Sequence, residues 1–120
     1  MKNWLFRCVF LVFVSAALLS GCGTWSSNDR DIYSWGSYEK QIYSYLDGEN
    51  RDSLLLQFQR ELEVIKSSNK KAPPGFFAHL GLLYAETGQE AEAFSCFIIE
   101  KSLFPEAAPF MDFLLRRQKE

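Results

Sequence analysis

From Ile32 onward, apolar side chains return every three or four positions, and each run is closed by residues unsuited to continuing it. Trp35, Tyr38, Ile42, Tyr45 and Leu46 fall on one face of a first helix that Asp47-Gly48 stops. Asp52 is placed to cap a second, longer helix with Leu55, Phe58, Leu62 and Ile65 on its apolar stripe, ending in the polar stretch Ser67-Ser68-Asn69-Lys70-Lys71. Pro73-Pro74 opens a third that carries Phe77, Leu80, Leu83 and Tyr84, and Gly88 stands where a left-handed residue ends a helix. A fourth is expected from about Gln89 to Lys101, with Ala93, Phe94, Phe97 and Ile98 inward. Pro105 and Pro109 stand at the front of a fifth, which carries Phe110, Phe113 and Leu114 before the charged tail Arg116-Arg117-Gln118-Lys119-Glu120. No segment sustains an alternation of period two, so the expected fold is all-α.

The first residues follow a different rule. Lys2 and Arg7 precede the uncharged run Cys8–Leu19, the order of a signal peptide's basic and apolar regions. A helix of that run would rise about 18 Å, well short of the roughly 30 Å hydrocarbon core of a bilayer. Directly after it, Leu19-Ser20-Gly21-Cys22 resembles the lipobox of bacterial lipoproteins, whose cysteine takes a diacylglycerol and becomes the mature N-terminus. Small neighbours give a peptidase access to the bond, and the thiol is the one strong nucleophile there. The resemblance implies cleavage of residues 1–21, acyl chains on Cys22, and anchoring on a membrane without spanning it. Gly23 follows where lipoproteins retained in the inner membrane have Asp, which favours the outer membrane, facing the periplasm. Residues 22–31 then read as lipidated terminus and tether, with Trp25 a candidate for the headgroup level, and residues 32–120 as the helical domain.

Charge changes the picture by exclusion. The chain has 13 Lys plus Arg against 15 Asp plus Glu, and losing Lys2 and Arg7 makes it more acidic, so binding nucleic acid through bulk positive charge is excluded. Of the three cysteines, Cys8 leaves with the signal and Cys22 carries lipid; Cys96 is left either as a small buried hydrophobe or as a thiol that pairs with another chain.

The third and fourth helices carry more than periodicity. Phe77-x2-Leu80-Gly81-x2-Tyr84, Gly88, Ala93-x3-Phe97 and Pro105 resemble the tetratricopeptide repeat, over residues 74–107. Gly81 and Ala93 are small so that antiparallel helices approach closely, while Phe77, Leu80, Tyr84 and Phe97 fill the space between them. Glu100 departs from the pattern, which has a small residue there. Upstream, Trp35-x2-Tyr38-x3-Ile42 imitates another first helix at a spacing of 42 rather than 34 residues; downstream, Met111 and Leu114 lie 34 residues beyond Phe77 and Leu80, which makes 108–118 a capping helix.

The segment Tyr33-Ser34-Trp35-Gly36-Ser37-Tyr38-Glu39, joined to a lipobox and one repeat, resembles a family of small uncharacterised proteobacterial lipoproteins. Members of that family are often encoded beside a lipoprotein similar to the curli-secretion pore CsgG. The resemblance implies an accessory subunit of an envelope assembly and names no reaction.

Chemistry has little to build on. His79 is the only histidine, and neither a metal-ligand cluster nor a Ser/His/Asp set stands at working spacing, so no enzyme activity, metal or cofactor is expected. Cys96 with His79 is the one conceivable nucleophile and base. By position in the repeat, Ala78, His79, Leu82 and Glu86 mark a concave face that reads either as a groove for a partner's peptide or as ordinary surface. The aromatic set Trp35, Tyr38, Tyr43 and Tyr45 likewise reads either as a recognition surface for a partner or as core; Tyr43 lies off the main stripe and is the expected exposed, partner-binding member. The reading is a non-catalytic, lipid-anchored interaction module in an envelope assembly, CsgG-like in partner; the alternative is an adaptor that activates a cell-wall synthase or a protease.

Overall fold

The computed structural model describes residues 32–118; the signal peptide, lipobox, tether and Trp25 of the sequence reading lie outside them. Within the described residues five helices follow in order: α1 (Tyr38–Leu46), α2 (Arg51–Ser67), α3 (Phe76–Glu86), α4 (Glu90–Leu103) and α5 (Ala108–Arg117), the last entered through a 3₁₀ turn at Pro105–Ala107. The described residues are all-α, as the periodicity predicts. Among the described residues, extended pairing is confined to one isolated bridge, Tyr33 with Lys71, in which Ser34 N–H donates to the Lys71 carbonyl at 2.8 Å and Lys71 N–H to the Ile32 carbonyl at 3.0 Å.

The first helix begins later than its apolar spacing predicts. Gly36 takes a left-handed φ of 44°, which breaks the run, so Trp35 precedes α1 instead of lying on its face and is 40% exposed. Leu46, assigned to the same stripe, is exposed at the other end. The cap of α2 is Asn50 rather than Asp52: the Asn50 side chain accepts from Ser53 N–H at 3.0 Å, while Asp52 lies within the first turn. Either residue type caps well, and the extended backbone at Asn50 decides between them.

Two apolar clusters hold the helices. The first joins α1, α2 and α3 through Tyr38, Leu54, Phe58, Phe76, Leu80 and Leu83. Phe76, fully buried, takes the centre that the repeat pattern suggests for Phe77, which packs half-buried against the same cluster. The second joins α3, α4 and α5 through Ala78, Ala93, Phe97, Met111 and Leu115. Helices α3 and α4 share the broadest contact and turn through Thr87-Gly88-Gln89, where Gly88 has φ 80°. They approach closely at Gly81, where a β-carbon would stand 2.6 Å from Phe97 Cε1 and 3.1 Å from Cys96 Cβ.

The inward faces of α4 and α5 differ from expectation. On α4, Ala93, Cys96, Phe97 and Glu100 are buried, while Phe94 and Ile98 are exposed. On α5, Met111 and Leu115 are buried, while Phe110 and Phe113 face outward. Both helices carry two overlapping apolar stripes, and periodicity does not choose between them.

Candidate functional site

One end of the structure is organised around Gly75, the left-handed residue (φ 88°) that caps α3. Its N–H donates to Glu100 Oε1 at 2.6 Å. A carboxylate at a helix N-terminus satisfies an orphan donor and complements the helix dipole. Thus the one departure from the repeat pattern is filled by a side chain reaching from α4 to hold the start of α3. His79 Nδ1 lies 2.9 Å from both the Gly75 carbonyl and the Tyr38 hydroxyl. A protonated Nδ1 donates to the carbonyl, and a bare Nδ1 accepts from the phenol. Burial first, and the Glu100 carboxylate second, push the Tyr38 phenol well above its ordinary range, so it stays a donor at physiological pH.

A second polar tie follows along the same helices. Tyr45 Oη donates to Glu86 Oε1 at 2.7 Å, Arg51 pairs with Glu86 Oε2 at 2.9 Å, and the Arg51 guanidinium lies 4.2 Å from the Tyr45 ring centre. The Tyr45 phenol is pushed up to about 12 by burial and then by Glu86, with Arg51 opposing. Glu61, buried on α2, accepts from Ser37 Oγ at 2.6 Å and so fastens the start of α1.

These contacts redistribute the residues expected on a concave face. Ala78 is buried in the second apolar cluster and offers no surface; Leu82 packs partly against that cluster. His79 and Glu86 are engaged by side chains of α1 and α2. Tyr43 is 71% exposed, as its place off the stripe predicts. Of the repeat-packing residues, Leu80, Gly81, Ala93 and Phe97 are buried, Tyr84 packs against both clusters and receives a hydrogen bond from Gln59 Nε2 at 3.1 Å, and Pro105 opens the 3₁₀ turn.

Cys96 and His79 are not brought together. The thiol borders an open groove of about 300 Å³ lined by Leu62, Phe77, Tyr84, Ser95 and Ile99, while His79 turns to Tyr38 and Gly75. Burial, and then Glu92, push the Cys96 thiol up to about 11, which keeps it protonated and poorly nucleophilic at neutral pH. Among the described residues, no group of three or more His, Cys, Asp or Glu side chains is placed to hold a metal ion.

The remaining feature is apolar surface. Phe110 and Phe113 stack on the outer side of α5 with ring centres 6.4 Å apart, and the Arg117 guanidinium lies 5.7 Å from the Phe113 ring centre. Phe94 and Ile98 are exposed on α4, and a Lys101–Asp112 ion pair of 2.6 Å joins α4 to α5. Periodicity puts these four residues on apolar stripes; the burial of Ala93, Cys96 and Phe97 on α4 and of Met111 and Leu115 on α5 leaves them outward.

Comparison with curated proteins and with solved structures finds no match. A family of uncharacterised proteins, the domain of unknown function DUF4810, matches residues 32–114, from the strand-like lead into α1 through most of α5, and the chain belongs to that family.

Proposed function

We propose that the protein is a lipid-anchored, non-catalytic interaction module whose helices form a short tetratricopeptide-like array, serving as an accessory subunit of a cell-envelope assembly with a CsgG-like lipoprotein as partner. The observation that carries the contact role is the stacked Phe110–Phe113 pair on the outer side of α5. A capping helix ordinarily turns a polar face outward, whereas this one buries Met111 and Leu115 on one side and presents two phenylalanines on the other, which leaves an apolar face for a partner. The close approach at Gly81, the buried Ala93 and Phe97 and the left-handed Gly88 support the repeat reading. Membrane anchoring rests on the lipobox-like Leu19-Ser20-Gly21-Cys22.

Affinity purification from detergent-solubilised envelope tests this. Recovery of a CsgG-like lipoprotein, lost in the Phe110→Ser, Phe113→Ser double variant, supports the proposal. Recovery of a cell-wall synthase or protease instead supports the adaptor reading, and capture indifferent to the double variant removes α5 from the contact. Mass spectrometry of the wild-type N-terminus tests anchoring, because an unacylated Cys22 ends it.

A further inference from the structure

The lead into α1 gathers side chains from three distant parts of the chain. Tyr33 lies with its ring centre 6.1 Å from that of Phe104, at the end of α4, and 6.3 Å from that of Trp35; Trp35 stacks in turn on Tyr38 at 6.4 Å. The bridge between Tyr33 and Lys71 brings the Lys70-Lys71 pair alongside. Beside the row, Ile32 is 63% exposed, Trp35 40% and Leu103 47%, and both lysines are exposed. Trp35 is thus the exposed member of an aromatic row whose chain neighbours Ile32, preceding Tyr33, and Leu103, preceding Phe104, are exposed as well, with Lys71 paired to the row through the backbone.

We propose that this patch rests on the bilayer surface, so that the folded domain is held against the membrane rather than hanging free from its tether. Proximity argues for a bilayer as the occupant. Cys22 precedes Ile32 by ten residues, a reach of about 36 Å at full extension. Since the chain enters the domain at Ile32, the patch is the part of the fold closest along the chain to the anchor, and its effective concentration at the bilayer is correspondingly high. Composition argues the same way: a partly exposed indole packed between tyrosine rings, with exposed aliphatic and lysine residues on the adjoining stretches of chain, is the mixture that settles at the headgroup level. Two lysines alone attract anionic headgroups only modestly, so insertion of apolar side chains leads the contact and that attraction assists it.

The proposal rests on the lipoprotein reading for the tether, and the experiment separates the two. The acylated mature chain, carrying Trp25→Phe so that Trp35 reports alone, is reconstituted in phosphatidylglycerol/phosphatidylcholine vesicles whose lipids are brominated on the acyl chains. The expected result is a blue-shifted, strongly quenched Trp35. Quenching falls in the Ile32→Ser, Leu103→Ser double variant and in Lys70→Glu, Lys71→Glu, with melting temperatures held. The Cys22→Ser chain should bind the same vesicles weakly, and the apolar double variant should lower that binding about tenfold. Vesicle-bound, acylated protein with unquenched Trp35 overturns the patch while leaving the anchor intact; absence of acylation in the wild type overturns the anchor. Shielding of Trp35 that appears only when envelope protein is added assigns the patch to a protein partner and also overturns the proposal.

Discussion

Glu100 stands where the repeat pattern has a small residue, and pattern alone says that Glu100→Ala should be tolerated or better. The structure says the opposite. Removing the carboxylate orphans Gly75 N–H at the start of α3 and empties a site that is 2% exposed. A hydrogen bond to a charged group is worth about 1.5–3 kcal/mol, so Glu100→Ala should lower stability by that order in chemical denaturation. Unchanged stability would mean that the contact holds nothing. At Glu86, Glu86→Lys breaks the bond from Tyr45 and repels Arg51. Both charged partners are about one-third exposed, so the expected loss is only about 0.5–1 kcal/mol. A weakened partner complex in that variant must therefore be corrected for the measured loss of fold.

Cys96 gives the pH dependence a sign. Its folded-state value is raised from 9.0 to about 11, so folding favours the protonated thiol. That contribution is complete below pH 9 and is lost as pH rises through 11. The melting temperature should hold between pH 7 and 8.5 and fall above 9, with a shallower fall in Cys96→Ala. Tyr38 and Tyr45, also raised, add to the loss at higher pH. Alkylation at pH 8 should be at least about tenfold slower in the native protein than in denaturant, since burial hides the thiol and suppresses its thiolate. Equal rates would contradict the burial.

At the scale of elements, the α3–α4 pair depends on Gly81. Alanine is the better helix former by about 1 kcal/mol, which favours Gly81→Ala in isolation. In this pair its methyl would meet the buried Phe97 ring at 2.6–2.8 Å, and overpacking costs about 1–3 kcal/mol, so a net loss is expected in thermal melts. Gly81→Leu should be worse, and Gln57→Leu on α2 serves as a distant control. A stabilised Gly81→Ala would show the helices to be further apart. This approach is legible in the sequence because it is encoded by residues at fixed short separations: Gly81, Ala93 and Phe97 lie within one hairpin. The stripes of α4 and α5 are not, because Phe94, Phe97, Ile98 and Ile99 surround α4 and Met111, Phe113, Leu114 and Leu115 run nearly around α5. The packing of α5 on Ala78, Ala93 and Phe97 selects one stripe of each.

For the whole molecule, the outward stripe of α5 separates folding from contact. Phe110 is 54% exposed and Phe113 43%, so replacing both with serine gives up partial burial and their stack and should cost only about 1–2 kcal/mol, while Met111→Ser should unfold much of the domain by placing a hydroxyl in the second cluster. Circular dichroism melts of the two variants check the difference. Similar destabilisation would place Phe110 and Phe113 in the core after all. Partner capture by the phenylalanine variant then reads the surface alone.

The sequence by itself determined the helical class, the order of the helices, the close approach at Gly81 and the turn at Gly88. Each follows from local propensity or from spacing within one hairpin, and belongs to a stretch of chain too short for distant contacts to overrule. Only the tertiary structure decided that Gly36 ends the approach to α1, that Asn50 caps α2, and that Glu61 and Glu100 are buried. The partners of these two carboxylates lie 24 and 25 residues away, and such a separation leaves no periodic trace. The surroundings of the expected concave face were decided in the same way: Tyr45 and Arg51 engage Glu86, Tyr38 reaches His79, and Ala78 alone of the four is buried, in a cluster with Met111 and Leu115. Which side of an apolar helix meets solvent is set by what packs against it, and that is a property of the assembled fold.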